Sequence, residues 1–169
     1  MEADLTLRQL IYGQFIHFMH LNEQRMEVEF REFADKAREL NLTAFPNNLT
    51  SIHVIDCIGN NEPINNTSVA GKLNLSKASI TKISAKLLEE GFIKRSRLND
   101  NKKEVYFSLT PKGKEVLELH ETLHGIQESK FLRSLNSFSE TELHTILKFF
   151  QTMISHWNAN PLPKGAKNR

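Results

Sequence analysis

The sequence predicts a mainly α-helical protein with one small β-hairpin, and three observations carry that prediction. Two short helical patterns joined by a tight connection occupy residues 65–89, and two β-rich segments around a polar turn follow them directly. Long stretches of helically spaced apolar residues lie before this block, over residues 5–40, and after it, from residue 111 onward. The order is that of a winged helix-turn-helix whose N- and C-terminal helices form a dimerisation region. The expected boundaries are 1–48 for an N-terminal helical dimerisation arm, 49–110 for the winged helix-turn-helix, 111–157 for C-terminal dimerisation helices, and 158–169 for a disordered tail.

Residues 5–40 contain no proline and only Gly13, with Leu7, Leu10, Ile11, Phe15, Phe18 and Met19 at helical spacing. A second set, Val28, Phe30, Phe33, Ala34, Ala37 and Leu40, follows a charged patch around Glu23–Glu29, so the stretch reads as one long helix or two in series. Five aromatics within these turns (Tyr12, Phe15, Phe18, Phe30 and Phe33) exceed what a lone helix keeps from water, and a partner chain is the expected cover. Asn41–Asn48, with Pro46, breaks the helix. Thr50 is then expected to cap a short helix bearing Ile52, Ile55 and Ile58, and Gly59–Pro63 reads as a loop.

Asn65 is the expected cap of a helix with Val69, Ala70 and Leu73 inward, and Leu73-Asn74-Leu75 is short enough to set the next helix steeply across it. That helix starts at Ser76, whose hydroxyl can accept from free first-turn N–H groups. Ile80, Ile83, Leu87 and Leu88 give it one buried face, while Lys77, Ser79, Thr81, Lys82 and Lys86 fall on the other. Gly91 can take the left-handed conformation that stops a helix. Residues 92–97 and 104–109 then read as strands around the turn-forming run 98–103. From Gly71 to Lys103 there are nine Lys/Arg against three acidic residues, a local net of +6 where the whole chain of 169 residues carries only +2. Positive charge concentrated on an exposed helix and hairpin is the electrostatic footprint of a phosphate backbone, so the expected partner is double-stranded DNA.

Thr110-Pro111 opens another helix, with Thr as cap and Pro at the first helical position, where its missing N–H costs nothing. Val116, Leu119, Leu123 and Ile126 form its stripe, continuing toward Phe131 and Leu135. Ser139-Glu140-Thr141-Glu142 has the spacing of a capping box, and a last helix should run to about Trp157. The acidic start has no apolar run behind it and no segment is long enough to span a bilayer, so neither secretion nor a membrane is expected. The single Cys57 excludes an intramolecular disulfide, suits a reducing cytoplasm and sits among the isoleucines of a core helix.

The run through Leu49-Thr50, Ala70, Leu73, Leu75-Ser76, Leu87-Leu88, Gly91-Phe92-Ile93-Lys94-Arg95 and Ser108-Leu109-Thr110-Pro111-Lys112-Gly113 resembles the MarR family of bacterial regulators. The resemblance covers roughly residues 49–120 and implies a homodimeric, non-enzymatic regulator of transcription, with the Ser76 helix in the major groove and the hairpin tip near the minor groove. The matching wings usually carry Asp and Arg at the tip, where this chain has Asn101 and Lys103, with Asp100 one residue early. Lysine keeps the charge but lacks the planar fork of arginine. On this reading Ser79, Thr81 and Lys82 contact base edges or the adjacent backbone, Lys77 and Lys86 contact phosphate, and Arg97, Lys102 and Lys103 serve the wing.

Regulation has several candidate sources. The family resemblance implies a small aromatic ligand between the arms and the DNA-binding lobe, and Tyr12, Phe15, Phe18, Phe45 and His53 are candidates to line such a pocket. His120-Glu121-Thr122-Leu123-His124 is a literal H-E-x-x-H, in which two imidazoles one turn apart could hold zinc and the glutamate could activate water as in a metallopeptidase. No third histidine follows at the spacing of that enzyme class, and Glu140 and Glu142 are already accounted for in a helix cap. The alternative is a zinc-responsive regulator using His120 and His124. The other histidines (His17, His20, His53, His144 and His156) show no ligand spacing beyond the nearby pair His17 and His20. No cofactor is expected.

Overall fold

The computed structural model describes residues 2–97 and 104–159. The N-terminal stretch is one helix, α1 (Glu2–Glu39), ended at Asn41, whose φ of 56° lies in the left-handed region. Helix α2 (Leu49–Gly59) is capped by Asn48, whose side-chain oxygen accepts from Ser51 N at 2.9 Å. This corrects the expected Thr50 cap: Asn48 is extended and stands where its oxygen meets the free first-turn N–H groups. A two-residue strand β1 (Ile64–Asn65), α3 (Asn66–Leu73) and α4 (Lys77–Glu89) follow, with Asn74 at φ 51° turning the chain between the two helices. Strands β2 (Ile93–Ser96) and β3 (Tyr106–Leu109) form the hairpin, joined at φ 75° through Gly91 to α4. Helix α5 (Pro111–Ser134), a 3-10 turn (Leu135–Ser137) and α6 (Glu140–Ala159) complete the order.

The sheet runs β1-β3-β2, antiparallel throughout, with Ile64 opposite Phe107 and Ile93 opposite Leu109. Strand β1 was not anticipated. Two residues carry no alternation to detect, and their pairing depends on a strand far along the chain. Four anticipated caps are present, that of Thr110 on Gly113 N among them. Asn65 accepts from Ser68 N, Ser76 from Ser79 N, and Ser139 and Glu142 exchange the two bonds of a capping box. The last helix reaches Ala159, two residues past the expected end, which leaves residues 160–169 of the predicted tail outside the described residues.

One compact unit extends through His124 and a second begins at Gly125. The core of the first joins Phe33 and Ala37 of α1, Ile52, Ile55 and Ile58 of α2, Val69 of α3, Ile80 and Leu87 of α4, and Val116 of α5 to the hairpin residues Phe92, Phe107 and Leu109. Phe33 is 1% exposed and meets Phe45 edge to face at 5.7 Å, so part of the aromatic content of α1 is covered within the chain. Leu7, Leu10, Tyr12 and Phe18 remain exposed on the same helix. In the second unit α6 exposes Leu147, Phe150 and Ile154 at helical spacing. No described helix is long and apolar enough to cross a membrane.

The hairpin is fastened to α5 by Thr110, whose hydroxyl lies 2.7 Å from Gly91 O and 3.0 Å from Phe92 O and also accepts from Gly113 N. Lys112 Nζ donates to Glu90 O and sits 4.2 Å above the Phe92 ring. Gly113 approaches so closely that a Cβ there would strike the Phe92 carbonyl oxygen, a backbone atom with no rotamer to escape by. Gly113→Ala should therefore cost about 1–3 kcal/mol through overpacking. At about 2–4 °C per kcal/mol for a chain of this size, thermal melting should detect it. An unchanged midpoint would show that α5 can slide away from β2.

Candidate nucleic-acid interface and an ionisable cluster

Helix α4 turns Ile80, Ser84 and Leu87 into the core, which leaves Lys77, Ser79, Thr81 and Lys82 together on the outer face. Lys77 and Lys82 are exposed and make no ion pair among the described residues. The Ser79 hydroxyl lies 2.7 Å from the Ser76 hydroxyl, so the two share one exposed edge at the start of the helix. Two predicted contacts are otherwise engaged. The Thr81 hydroxyl donates to Lys77 O at 2.8 Å and accepts from Asn66 Nδ2 at 3.0 Å, while Lys86 Nζ donates to Asn47 Oδ1 and lies 3.6 Å from Glu90. Thr81 thus fastens α4 to the start of α3, and the charge of Lys86 is partly compensated within the lobe.

On the hairpin, Lys94, Arg95 and Arg97 are exposed. Lys102 and Lys103, with Asp100 and Asn101, lie outside the described residues. Toward the turn end of the hairpin, Glu104 accepts from Tyr106 Oη at 3.0 Å and from Asn65 Nδ2. Adjacent asparagines therefore tie the hairpin and α4 to one helix start: Asn65 grips the hairpin while capping α3, and Asn66 grips α4 through Thr81 and Lys77 O. Neither clamp was read from the sequence, where Asn65 is legible only as a cap.

A second group of side chains lies within the first unit. Glu29 of α1, His53 of α2, and His120 and His124 of α5 bring one oxygen and three imidazole nitrogens within 4.8 Å of one another. His124 Nε2 is 3.0 Å from His120 Nε2 and 3.6 Å from Glu29 Oε1, and His53 Nε2 is 3.9 Å from the same oxygen. A tetrahedral zinc with ligands at about 2.0–2.1 Å requires donor separations of about 3.3–3.4 Å; the 3.0, 3.6 and 3.9 Å separations lie around that value, and three imidazoles with one carboxylate are a donor set suited to zinc. Burial, reinforced by neighbouring His120, holds the His53 pKa below its ordinary value.

His120 is 4% exposed. Its other ring nitrogen, Nδ1, lies 3.5 Å from Asp56 Oδ1, an ion-pair distance without the geometry of a formed hydrogen bond, and has no hydrogen-bond partner. Proximity to the His120 ring holds the Asp56 carboxyl below its usual range, against the opposing effect of burial. Asn60, the C-cap of α2, donates to the same Asp56 oxygen at 3.2 Å.

The pair His120 and His124 singled out from the H-E-x-x-H pattern is thus brought together with His53 and Glu29, whereas Glu121 is exposed and outside the group. His53, first read as a pocket-lining residue, belongs to this cluster, and Glu29 carried no signal among the many charges of α1. The other pocket candidates have diverse surroundings. Tyr12 and Phe18 are exposed, Phe15 is half-buried on the same helix, and Phe45 packs on Phe33. Cys57 is buried, and burial pushes its thiol pKa up, away from the reactive thiolate.

Comparison with known proteins matches residues 48–105 to the MarR family model. The chain is 50% identical over 153 residues to the HTH-type transcriptional regulator PchR of Bacillus subtilis (strain 168), with 90% of each chain covered. Among solved structures it is similar to the zinc-responsive MarR family member ZitR of Lactococcus lactis, at a TM-score of 0.60 and 26% identity over 67% of this chain and 78% of that one. ZitR in complex with DNA gives a TM-score of 0.60 at 29% identity, over 67% and 77% of the two chains.

Proposed function

The chain belongs to the MarR family of transcriptional regulators, and from that premise we propose that it reads an imperfect palindrome as a homodimer whose grip on DNA is set by a divalent metal ion at Glu29, His53, His120 and His124. The carrying observation is the convergence of four donor atoms from three helices within 4.8 Å. The likeness to a zinc-responsive relative and to that relative bound to DNA supports both halves of the reading. A bound zinc would supply a fixed divalent charge and a tetrahedral template, with no reaction attached.

The chain's own residues provide the coupling. Glu29 stands on the long arm helix, His53 on the helix whose Ile52 and Ile55 share a core with Ile80 and Leu87 of the reading helix, and the other two donors on α5. Holding the four together fixes the arm relative to the DNA-reading lobe. In a two-fold dimer, that would fix the separation of two α4 helices. Docking into successive major grooves requires that separation to be about one helical turn of DNA, about 10 bp. The donor set favours this reading over a small aromatic ligand, since His53 serves the cluster and Phe45 serves the core.

Selection of duplexes from a random pool by the full chain, at fixed salt, with added zinc or with chelator, tests this. A palindrome with half-sites one turn apart, enriched with zinc and weakly without, is the expected result. Equal enrichment in both arms would remove the metal from the reading, and no enrichment in either would remove sequence-specific binding. Within the same system, Lys77→Ala should weaken binding to all duplexes and flatten the slope of log affinity against log salt by about 0.9. An unchanged slope would take Lys77 out of the phosphate contacts.

A further inference from the structure

We propose that Asp56 is a positioning residue for the metal, fixing His120 and completing the charge of the site without touching the ion; this rests on the metal reading above. A buried imidazole binds a cation through one nitrogen only when the other has somewhere to place its proton. His120 is the most buried of the three ring donors, and the partner its Nδ1 approaches is Asp56 Oδ1, 3.5 Å away, with no hydrogen bond yet formed. A hydrogen on Nδ1 directed to Asp56 leaves Nε2, the nitrogen 3.0 Å from His124 Nε2, with its lone pair toward the donor group. A short movement of the ring toward the carboxylate would turn the 3.5 Å contact into a charge-assisted hydrogen bond.

The carboxylate is itself held in place. Its Oδ1 accepts from Asn60 Nδ2 at 3.2 Å, and Asp56 lies one turn beyond His53 on α2, so one helix presents both a ligand and the group that orients another ligand. Charge requires a second carboxylate as well. Three neutral imidazoles and Glu29 around a divalent cation leave a net +1 in a partly buried place, which is costly in a low dielectric. Asp56 brings the assembly to neutrality. It was absent from every motif in the sequence because its partner lies on another helix.

The test uses the full chain, with zinc affinity measured by competition against a chromophoric chelator and with cobalt(II) absorption reporting coordination. Asp56→Asn keeps the shape and removes the charge. It should lower zinc affinity roughly 10–100-fold, the usual effect of losing an outer partner, while cobalt still gives the intense spectrum of a four-coordinate site. His120→Ala should instead change that spectrum by removing a donor. The metal-free melting of Asp56→Asn separates positioning from folding, and Asp56→Ser provides a second uncharged side chain if the first variant is unstable. Wild-type affinity in either folded variant would overturn the role of Asp56 and leave the metal site standing. A wild-type protein that binds neither zinc nor cobalt would overturn both.

Discussion

His120→Ala should abolish the metal dependence of DNA binding. The wild-type protein is expected to gain about 5–150-fold in affinity for its operator when zinc is supplied, the span that ordinary coupling energies between two sites produce. The variant should bind with the same affinity in zinc and in chelator. His120 Nε2 is 3.0 Å from His124 Nε2 and the ring is buried, so the substitution removes one of the four donors from inside the group. Glu121→Ala is the matched control, since Glu121 is next in sequence but exposed and outside the donor group. A zinc response that survives His120→Ala would transfer the sensing to another part of the chain. Loss of the response in Glu121→Ala as well would show that the effect of His120→Ala does not report the donor group.

The second large effect concerns stability. Phe92 is 2% exposed at the point where α4, the hairpin and α5 meet, and Phe92→Ala should cost about 3–5 kcal/mol from lost burial and the cavity left behind. The loss of the ring also removes the surface over which Lys112 Nζ sits. With about 2–4 °C per kcal/mol, the melting midpoint should fall by about 10 °C, and DNA binding should weaken at temperatures where wild type is intact. A change below about 1 kcal/mol would mean that α5 collapses onto the hairpin and fills the gap.

The parts of this molecule legible in its sequence are those whose physics is local. Caps at Asn65, Ser76 and Ser139 act over three residues, and the stripe on α4 repeats within one helix, so spacing alone exposes them. The outer face of α4 follows, because whatever faces away from Ile80 and Leu87 must be outside. The cluster is different in kind. One donor comes from α1, one from α2 and two from α5, so only the pair on a single helix leaves a periodic trace, and that trace coincides with a peptidase pattern of another meaning. Glu29 and Asp56 become informative only once the helices are packed. Thr81 and Lys86 illustrate the same limit from the other side: spacing placed them on the reading face, and only the folded lobe reveals Asn66, Asn47 and Glu90 beside them.

The paired clamps of Asn65 and Asn66 have a consequence for how such a protein can diversify. Because hairpin and reading helix are both moored to one helix start, the lobe behaves as a single tool head. Lys77, Ser79 and Lys82, which project from it, are not among the donors that would sense the metal. On the function proposed above, substitutions at those outward positions would retune which operator is recognised and leave the donor group untouched. On the same reading, changes at Glu29 or His53 would alter the signal and leave the DNA-facing residues as they are. A gene duplication in this lineage would thus have two independent dials, one for address and one for stimulus.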